Sequence, residues 1–406
     1  MGKAMQVLLV IALAAQASPS SAQPTFTLRD ALAAALEHVG VAQSVSAAQQ
    51  SEAVARSSGA GPTLGISGSY ADAPQPGAPT QSTFAEQLTL DFGSPAGRSG
   101  RVLAARANAA AATAAVAQTR LSLEQSVTET FFDLATDLAQ LEASGEAVNL
   151  AQRSLDAAIA RHRVGLAPLA DVLRARSALA TLQAEQAAAS AALAGDRSSL
   201  SEAVGSAIPT SLRLPAPDVI PDEDSVTRAV LVGSPALASA SAALRAAKAS
   251  VLVARGELQP SLSVGAGPGQ ISQGGVRTAG PSATATLVFP FAGGVEHTDV
   301  AAARAQLAAA QSSYDTTRID IIRSALVLRA QALAAQARLV FLDEAFADAN
   351  RVAQASLGGY RLGAVSSADL VTAQTQAAST RSALATGRVQ AVRAQALLKL
   401  QIGDQP

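Results

Sequence analysis

The side chains able to do covalent or metal chemistry are few and scattered along this sequence. The 406-residue chain has no Cys and only three His, namely His38, His162 and His297, far apart in sequence. A thiolate zinc site, an iron–sulfur cluster, a disulfide framework and a cysteine nucleophile are thereby excluded. Each His reads as a polar surface residue. Gly265-Ala266-Gly267-Pro268-Gly269-Gln270 begins like a dinucleotide loop, but it ends in Gln and follows no βαβ pattern, so it reads as the loop of a hairpin. No catalytic, cofactor or metal constellation emerges, and an enzyme is not expected. What does recur is a turn followed by an acid: Arg163-Val164-Gly165-Leu166 with Asp171, and Arg361-Leu362-Gly363-Ala364 with Asp369. Gly suits a helix C-terminus, Arg beside it suits the negative end of the helix dipole, and an acid is favoured in the first turn of the helix that follows. That chemistry explains two tight helix–helix turns without any function.

The elements around those turns follow from composition. The chain is 49% apolar, 15% charged and 3% aromatic, has no Trp, and carries 30 basic against 31 acidic residues. Near-neutrality removes the electrostatic case for nucleic acid. Much of the apolar fraction is Ala, the residue with the best helix propensity and a small side chain, so long helices lying close together are expected. At the amino terminus Lys3 precedes the run Val7 to Ala15 and a small-residue stretch ending at Ala22, the layout of a signal peptide over residues 1–22. No Cys follows it to carry a lipid anchor, and no other segment approaches the roughly 20 apolar residues that span a bilayer.

An internal repeat organises the chain. A shift of 198 residues maps Arg163-Val164-Gly165 and Ala170-Asp171-Val172 onto Arg361-Leu362-Gly363 and Ala368-Asp369-Leu370. The same shift maps Pro62-Thr63-Leu64 onto Pro260-Ser261-Leu262, Val204-Gly205 onto Ile402-Gly403, and Thr27-Leu28 onto Ser225-Val226. Residues 23–207 form a first repeat and 225–403 a second, joined by a Pro-rich linker with an acidic run over 208–224, with a tail at 404–406.

Each repeat opens with a helical segment, about 27–57 and 225–257, and continues into a hairpin, 62–92 and 260–291. Leu64, Ile66 and Tyr70 share one face of the first strand, and Phe84, Leu88, Leu90 and Phe92 one face of the second, with loop 71–82 between. Ala283, Ala285, Leu287, Phe289 and Phe291 do the same in the second hairpin. A long Pro-free helix follows, with Val127, Leu134, Leu141, Val148 and Leu155 at sevens, answered by Ile319, Leu326, Leu333 and Val340. Such spacing predicts supercoiled packing. The tip turns span 163–168 and 361–366, and a return helix closes each repeat. If the hairpins span a membrane, strands facing lipid must form a closed barrel, and four strands of about eight to ten residues cannot close alone. Three chains supplying twelve strands would.

This order of helix, hairpin, long helix, Gly turn and return helix, duplicated over about 27–403, resembles the outer membrane efflux proteins typified by TolC. The pieces that carry the resemblance are Arg163 to Leu173, Tyr360 to Leu370, Leu88-Thr89-Leu90-Asp91-Phe92-Gly93 and Leu287 to Gly294. It implies a mainly α protomer with a small β part: a duplicated long-helix coiled coil in an α-barrel, and two hairpins in a trimeric, 12-stranded barrel in outer-membrane lipid. It implies a homotrimeric channel-tunnel reaching into the periplasm, a passive duct working with a periplasmic adaptor (membrane fusion) protein and an inner-membrane pump of the RND, ABC or MFS type. Arg163, Val164, Gly165, Leu166, Arg361, Leu362, Gly363 and Ala364 would meet the adaptor. Asp171 and Asp369 would form the periplasmic constriction, with Tyr360 in its closing network. The sequence departs from the pattern at Val365, where an Arg is usual, and at Thr372, where a second acid is usual. The closing network is then thinner, or built from other residues such as Arg174 and Arg176. Gly97-Arg98-Ser99-Gly100-Arg101-Val102 resembles the heavy-metal branch typified by CzcC. The alternative is an exported soluble helical scaffold or adaptor-like coiled coil whose hairpins only cap the bundle.

Overall fold

The computed structural model describes residues 26–38, 42–57, 62–73, 81–209, 211–273, 276–289 and 295–404. The segment read as a signal peptide, 1–22, and Phe291 lie outside the described residues. The first repeat contains β1 (Phe26–Thr27), α1 (Leu28–His38), α2 (Ala42–Ser57), β2 (Thr63–Ala73), β3 (Gln81–Gly93), α3 (Pro95–Arg163) and α4 (Leu169–Val204). The second contains β4 (Leu212–Arg213), α5 (Glu223–Gly233), α6 (Pro235–Glu257), β5 (Ser261–Gln273), β6 (Val276–Val288), α7 (Val295–Leu362) and α8 (Ser367–Ile402).

Two helices set the length of the molecule. Helix α3 has 69 residues and α7 has 68, about 100 Å each at ~1.5 Å per residue. Helix α3 starts where Ser94 accepts a hydrogen bond from the Gly97 amide at 3.1 Å, with Pro95 in the first turn, where its missing N–H costs nothing. The return helices α4 and α8 have 36 residues each and end at left-handed glycines, Gly205 (φ 72°) and Gly403 (φ 82°). Near the sheet the helices pack in the order α2, α3, α6, α7, and toward the tips in the order α4, α3, α8, α7. The sheet repeats the first order: β2, β3, β5 and β6 are neighbours, every pair antiparallel.

The repeat is visible in the packing. Leu28, Val127 and Leu200 belong to one buried cluster, where Phe131 and Phe132 meet edge to face at 5.5 Å. Their partners at a shift of 198, Val226, Ala325 and Leu398, form a second cluster. Each fully buried Leu or Phe contributes about 1.5–3 kcal/mol, so these clusters anchor the long helices at mid-height. A short parallel pairing, Phe26 with Leu212 and Thr27 with Arg213, ties the start of one repeat to the chain leading into the other.

Several expectations are corrected. The second repeat's opening helix is broken: α5 ends at Gly233, and Ser234 with Pro235 starts α6, Ser234 accepting from the Leu237 amide at 3.4 Å. The acidic run counted into the linker belongs to α5, with Asp222 at its N-cap position and Glu223 and Asp224 in its first turn, where the dipole favours them. Gly265 to Gln270 is not a loop but the middle of β5. A Cβ on Gly267 would sit 1.8 Å from the Glu86 carbonyl oxygen, so glycine there lets β3 and β5 approach. The strands have 11 to 13 residues, longer than expected. Phe289 lies one residue beyond the end of β6.

Two helices, Pro235–Glu257 and Thr298–Leu362, also pass the length and hydropathy test for a bilayer span, with mean hydropathies of 1.3 and 1.4. Alanine supplies much of that apolarity, and α6 lies packed between α3 and α7. Finally, the two heptad seams have different fates. Val127 is 1% exposed, whereas Val340 is 67% exposed, and Ile319 and Leu333 on the same seam are exposed as well.

Candidate functional site at the helical tips and the sheet

Both tip turns are built alike. The Gly165 amide donates to the His162 carbonyl and the Leu166 amide to that of Arg161, each at 2.9 Å. The Gly363 amide donates to Tyr360 at 3.0 Å and the Ala364 amide to Gly359 at 2.8 Å. These paired bonds need a left-handed residue, which Gly165 (φ 76°) and Gly363 (φ 82°) supply without steric cost. Val164, Leu166 and Leu362 project into solvent with Arg163 and Arg361 beside them.

The two acids that follow the turns differ. Asp171 sits in a junction between repeats: Ser367 Oγ donates to its Oδ1 at 2.6 Å, Arg174 Nη1 lies 3.3 Å from the same oxygen, and the Tyr360 hydroxyl reaches Oδ2 at 3.4 Å. Arg174 also donates to Ser367 Oγ. Tyr360 is buried, and burial, reinforced by the Asp171 charge, holds its phenol above the ordinary value, so it stays protonated as a donor. Arg161 closes the junction from α3. Its guanidinium lies 5.0 Å from the Tyr360 ring centre, and it donates to the Tyr360, Arg361 and Leu166 carbonyls. Asp369, by contrast, stays exposed and local. Ser366 Oγ donates to its Oδ2 at 2.7 Å and accepts from its amide at 3.2 Å, an N-terminal cap within the chain.

The structure therefore brings Tyr360 and Asp171 together and leaves Asp369 apart. The sequence pattern passed over Arg161 and Ser367, and both stand where the repeats disagree: a shift of 198 sets Gly359 against Arg161, and Leu169 against Ser367. Such mismatches are the signal that could have found them. Above the tips Gln374 donates to the buried Ser154, and Arg381 pairs with Glu146 while lying 5.1 Å from the Phe346 ring centre. Burial pulls the Arg381 pKa down. Among the described residues no three His, Asp or Glu side chains converge as metal ligands.

The sheet is the second feature. Its register aligns Leu64, Leu90, Val264 and Ala285 in one row and Ile66, Leu88, Ala266 and Ala283 in the next. Leu262 opposes Leu287, and Tyr70 opposes Phe84. The Leu, Ile, Val and Ala residues of these rows share one face, because directly opposed residues point the same way. The other face carries Gly65, Thr89, Gly265 and Thr284 in one row, and Thr63, Asp91, Ser263 and Thr286 in another. Ile66 is 84% exposed, and Leu64, Leu88, Leu90, Leu262 and Leu287 are exposed as well. Phe92 is half-buried, and Phe289 is exposed. Strands β2 and β6 are the outer strands of the sheet. Asp91 accepts from the Gly93 amide at 2.8 Å at a β-bulge, where the strand leaves for α3.

The arrangement is shared with known proteins. The profile of the family "Outer membrane efflux protein" matches residues 28–206 and again 226–404, one match per repeat. Among solved structures, a membrane protein from Pseudomonas aeruginosa superposes with a TM-score of 0.80 at 20% identity, covering 93% of this chain and 90% of that one. The outer membrane protein VceC from Vibrio cholerae gives 0.78 at 20%, covering 93% and 96%. CusC, whose structures concern folding and transmembrane channel formation, gives 0.78 at 18%, covering 93% and 92%. No curated protein matches the sequence.

Proposed function

The chain belongs to the outer membrane efflux protein family, and from that premise we propose that three copies close one twelve-stranded pore continued by a helical tunnel. As an outer-membrane efflux channel it is a passive duct from the periplasm to the exterior. The observation that carries the trimer is the sheet. Four antiparallel strands expose one apolar face and end in two edges, and lipid admits neither an open edge nor a four-stranded barrel. With an even number of antiparallel strands per chain, β6 of one copy and β2 of the next run in opposite directions, so the ring closes antiparallel throughout. A soluble scaffold would leave Leu64, Ile66 and Leu88 in water.

At the far end, Val164, Leu166 and Leu362, flanked by Arg163 and Arg361, form a small apolar patch with a charged rim, suited to a protein partner. A periplasmic adaptor carrying an inner-membrane pump is the partner that fits a duct. The Tyr360–Asp171 junction holds the tips together and is the reading we give to the closed constriction. Purified protein in planar bilayers tests the channel: discrete conductance steps together with a trimeric mass are expected, and a monomer without conductance would overturn it.

A further inference from the structure

We infer that the bare flank of α7 is covered by α4 of a second copy, in the register that α8 already takes on α3 within one chain, and that His162 of that copy then meets Asp369. The inference rests on the trimer reading above and fixes which residues meet. Within the chain α3 packs lengthwise toward the tips against both α4 and α8, whereas α7 packs so against α8 alone and meets α3 and α4 at its last turn, through Tyr360. Shifting α3 by 198 gives α7, and shifting α8 back by 198 gives α4. The contact of α3 with α8 thus has a counterpart, α7 with the next copy's α4, that a single chain cannot make.

Burial marks the missing neighbour. On α3, Ala143 and Ser154 are 6% and 2% exposed, on the flank that carries Glu146 to Arg381 and Ser154 to Gln374. Their counterparts on α7, Phe341 and Val352, are larger and apolar yet 69% and 56% exposed. The same helix face is therefore covered in one repeat and open in the other, which identifies the occupant as a surface shaped like α8. Helix α4 of a second copy is that surface. The flank order α4, α3, α8, α7 places α7 at one border and α4 at the other, and β6 and β2 border the sheet in the same sense. A contact joining unlike borders is head-to-tail, not an isologous pair, and it closes a ring when the rotation per copy is one third of a turn, as the trimer reading requires.

The register follows by transfer. Ser154 touching Gln374 becomes Val352 touching Arg176 of the next copy. Asp171 bonded to Tyr360 becomes Asp369 facing His162 of the next copy. The His162 ring in the chain already points Nδ1 at the Ala167 carbonyl, 2.8 Å away; with Nδ1–H donating there, Nε2 donates to a carboxylate in the doubly protonated ring, so the tie to Asp369 is an ion pair. Arg161 and Arg174, which crowd Tyr360 and Asp171, are replaced at the transferred site by Gly359 and Thr372. The constriction would then alternate a tyrosine–aspartate tie within each chain and a histidine–aspartate tie between chains.

The chain has no native Cys, so paired cysteines with a short bis-maleimide test this in the full-length protein in outer membranes. V352C/R176C and H162C/D369C are both expected to give covalent dimers and trimers on denaturing gels, while each single variant stays monomeric. F341C/R176C, eleven residues out of register, is expected to give none. Native mass spectrometry of the same variants separates the two levels of the argument. A trimer whose matched pairs fail to link, or whose single variants link, overturns the assigned contact alone, whereas no trimer in the unsubstituted protein overturns the assembly itself.

Discussion

At the residue scale the tip junction gathers unlike groups around one buried phenol. Tyr360 donates to Asp171 from a site that also holds Arg161, and its raised pKa comes first from burial and then from the Asp171 charge. An acid whose folded pKa is raised keeps its proton longer in the folded state than in the unfolded one. The folded state therefore binds more protons as pH rises through the ordinary phenol value near 10.0, and stability falls there. Y360F removes both the hydroxyl and its titration. Its thermal unfolding is expected to lose the alkaline decline, and the long hydrogen bond it deletes costs about 0.5–1 kcal/mol at neutral pH. In bilayers the same variant is expected to open more readily, whereas D348N, which touches only the exposed Arg351 on its own helix, should not. Equal effects would deny the junction its place at the constriction.

At the element scale, glycines sort into those that allow close approach and those that do not matter to packing. Helices α3 and α6 cross where a Cβ on Gly256 would lie 2.2 Å from the Gly97 nitrogen, and one on Gly100 would lie 2.8 Å from Val253. G256L must push the helices apart and is expected to destabilise by about 2–3 kcal/mol or more, as overpacking does. Gly195 in α4 meets nothing within 4 Å, so G195A is expected to stabilise by about 0.5–1 kcal/mol through helix propensity alone. Thermal unfolding of both variants checks the contrast.

The same contrast shows what the sequence could tell. Mainly helical architecture, with hairpins of alternating apolar residues, was legible because periods of seven and two persist over many residues. The break at Ser234-Pro235 was legible in principle, as a capping residue before Pro, but alanine on both sides masked it. The strand character of Gly265 to Gln270 was not legible, since glycine there answers to the Glu86 backbone across the sheet and not to any local turn. Arg161 was invisible for a related reason: its partners, the Tyr360 and Arg361 carbonyls, lie in the other repeat.

At the scale of the whole molecule, a chain that exposes Ile66 and the Leu64–Leu90–Val264 row cannot be a finished object in water. The two faces of the sheet make this testable by position alone. Ile66 pairs with Leu88 on the apolar face, and one residue along, Thr89 pairs with Gly65 on the polar face. An Arg introduced at Ile66 would enter hydrocarbon, at a cost of about 2–4 kcal/mol per chain near the bilayer midplane, and three copies multiply it. An Arg at Thr89 would enter a water-filled lumen, where such changes tune selectivity instead of stability. I66R is therefore expected to leave the protein unassembled and missing from the outer membrane fraction. T89R should assemble normally and shift the reversal potential toward anions in single-channel recordings. If the two behaved in the opposite sense, the apolar face would be turned inward and the pore would have to be built from other surfaces of the chain.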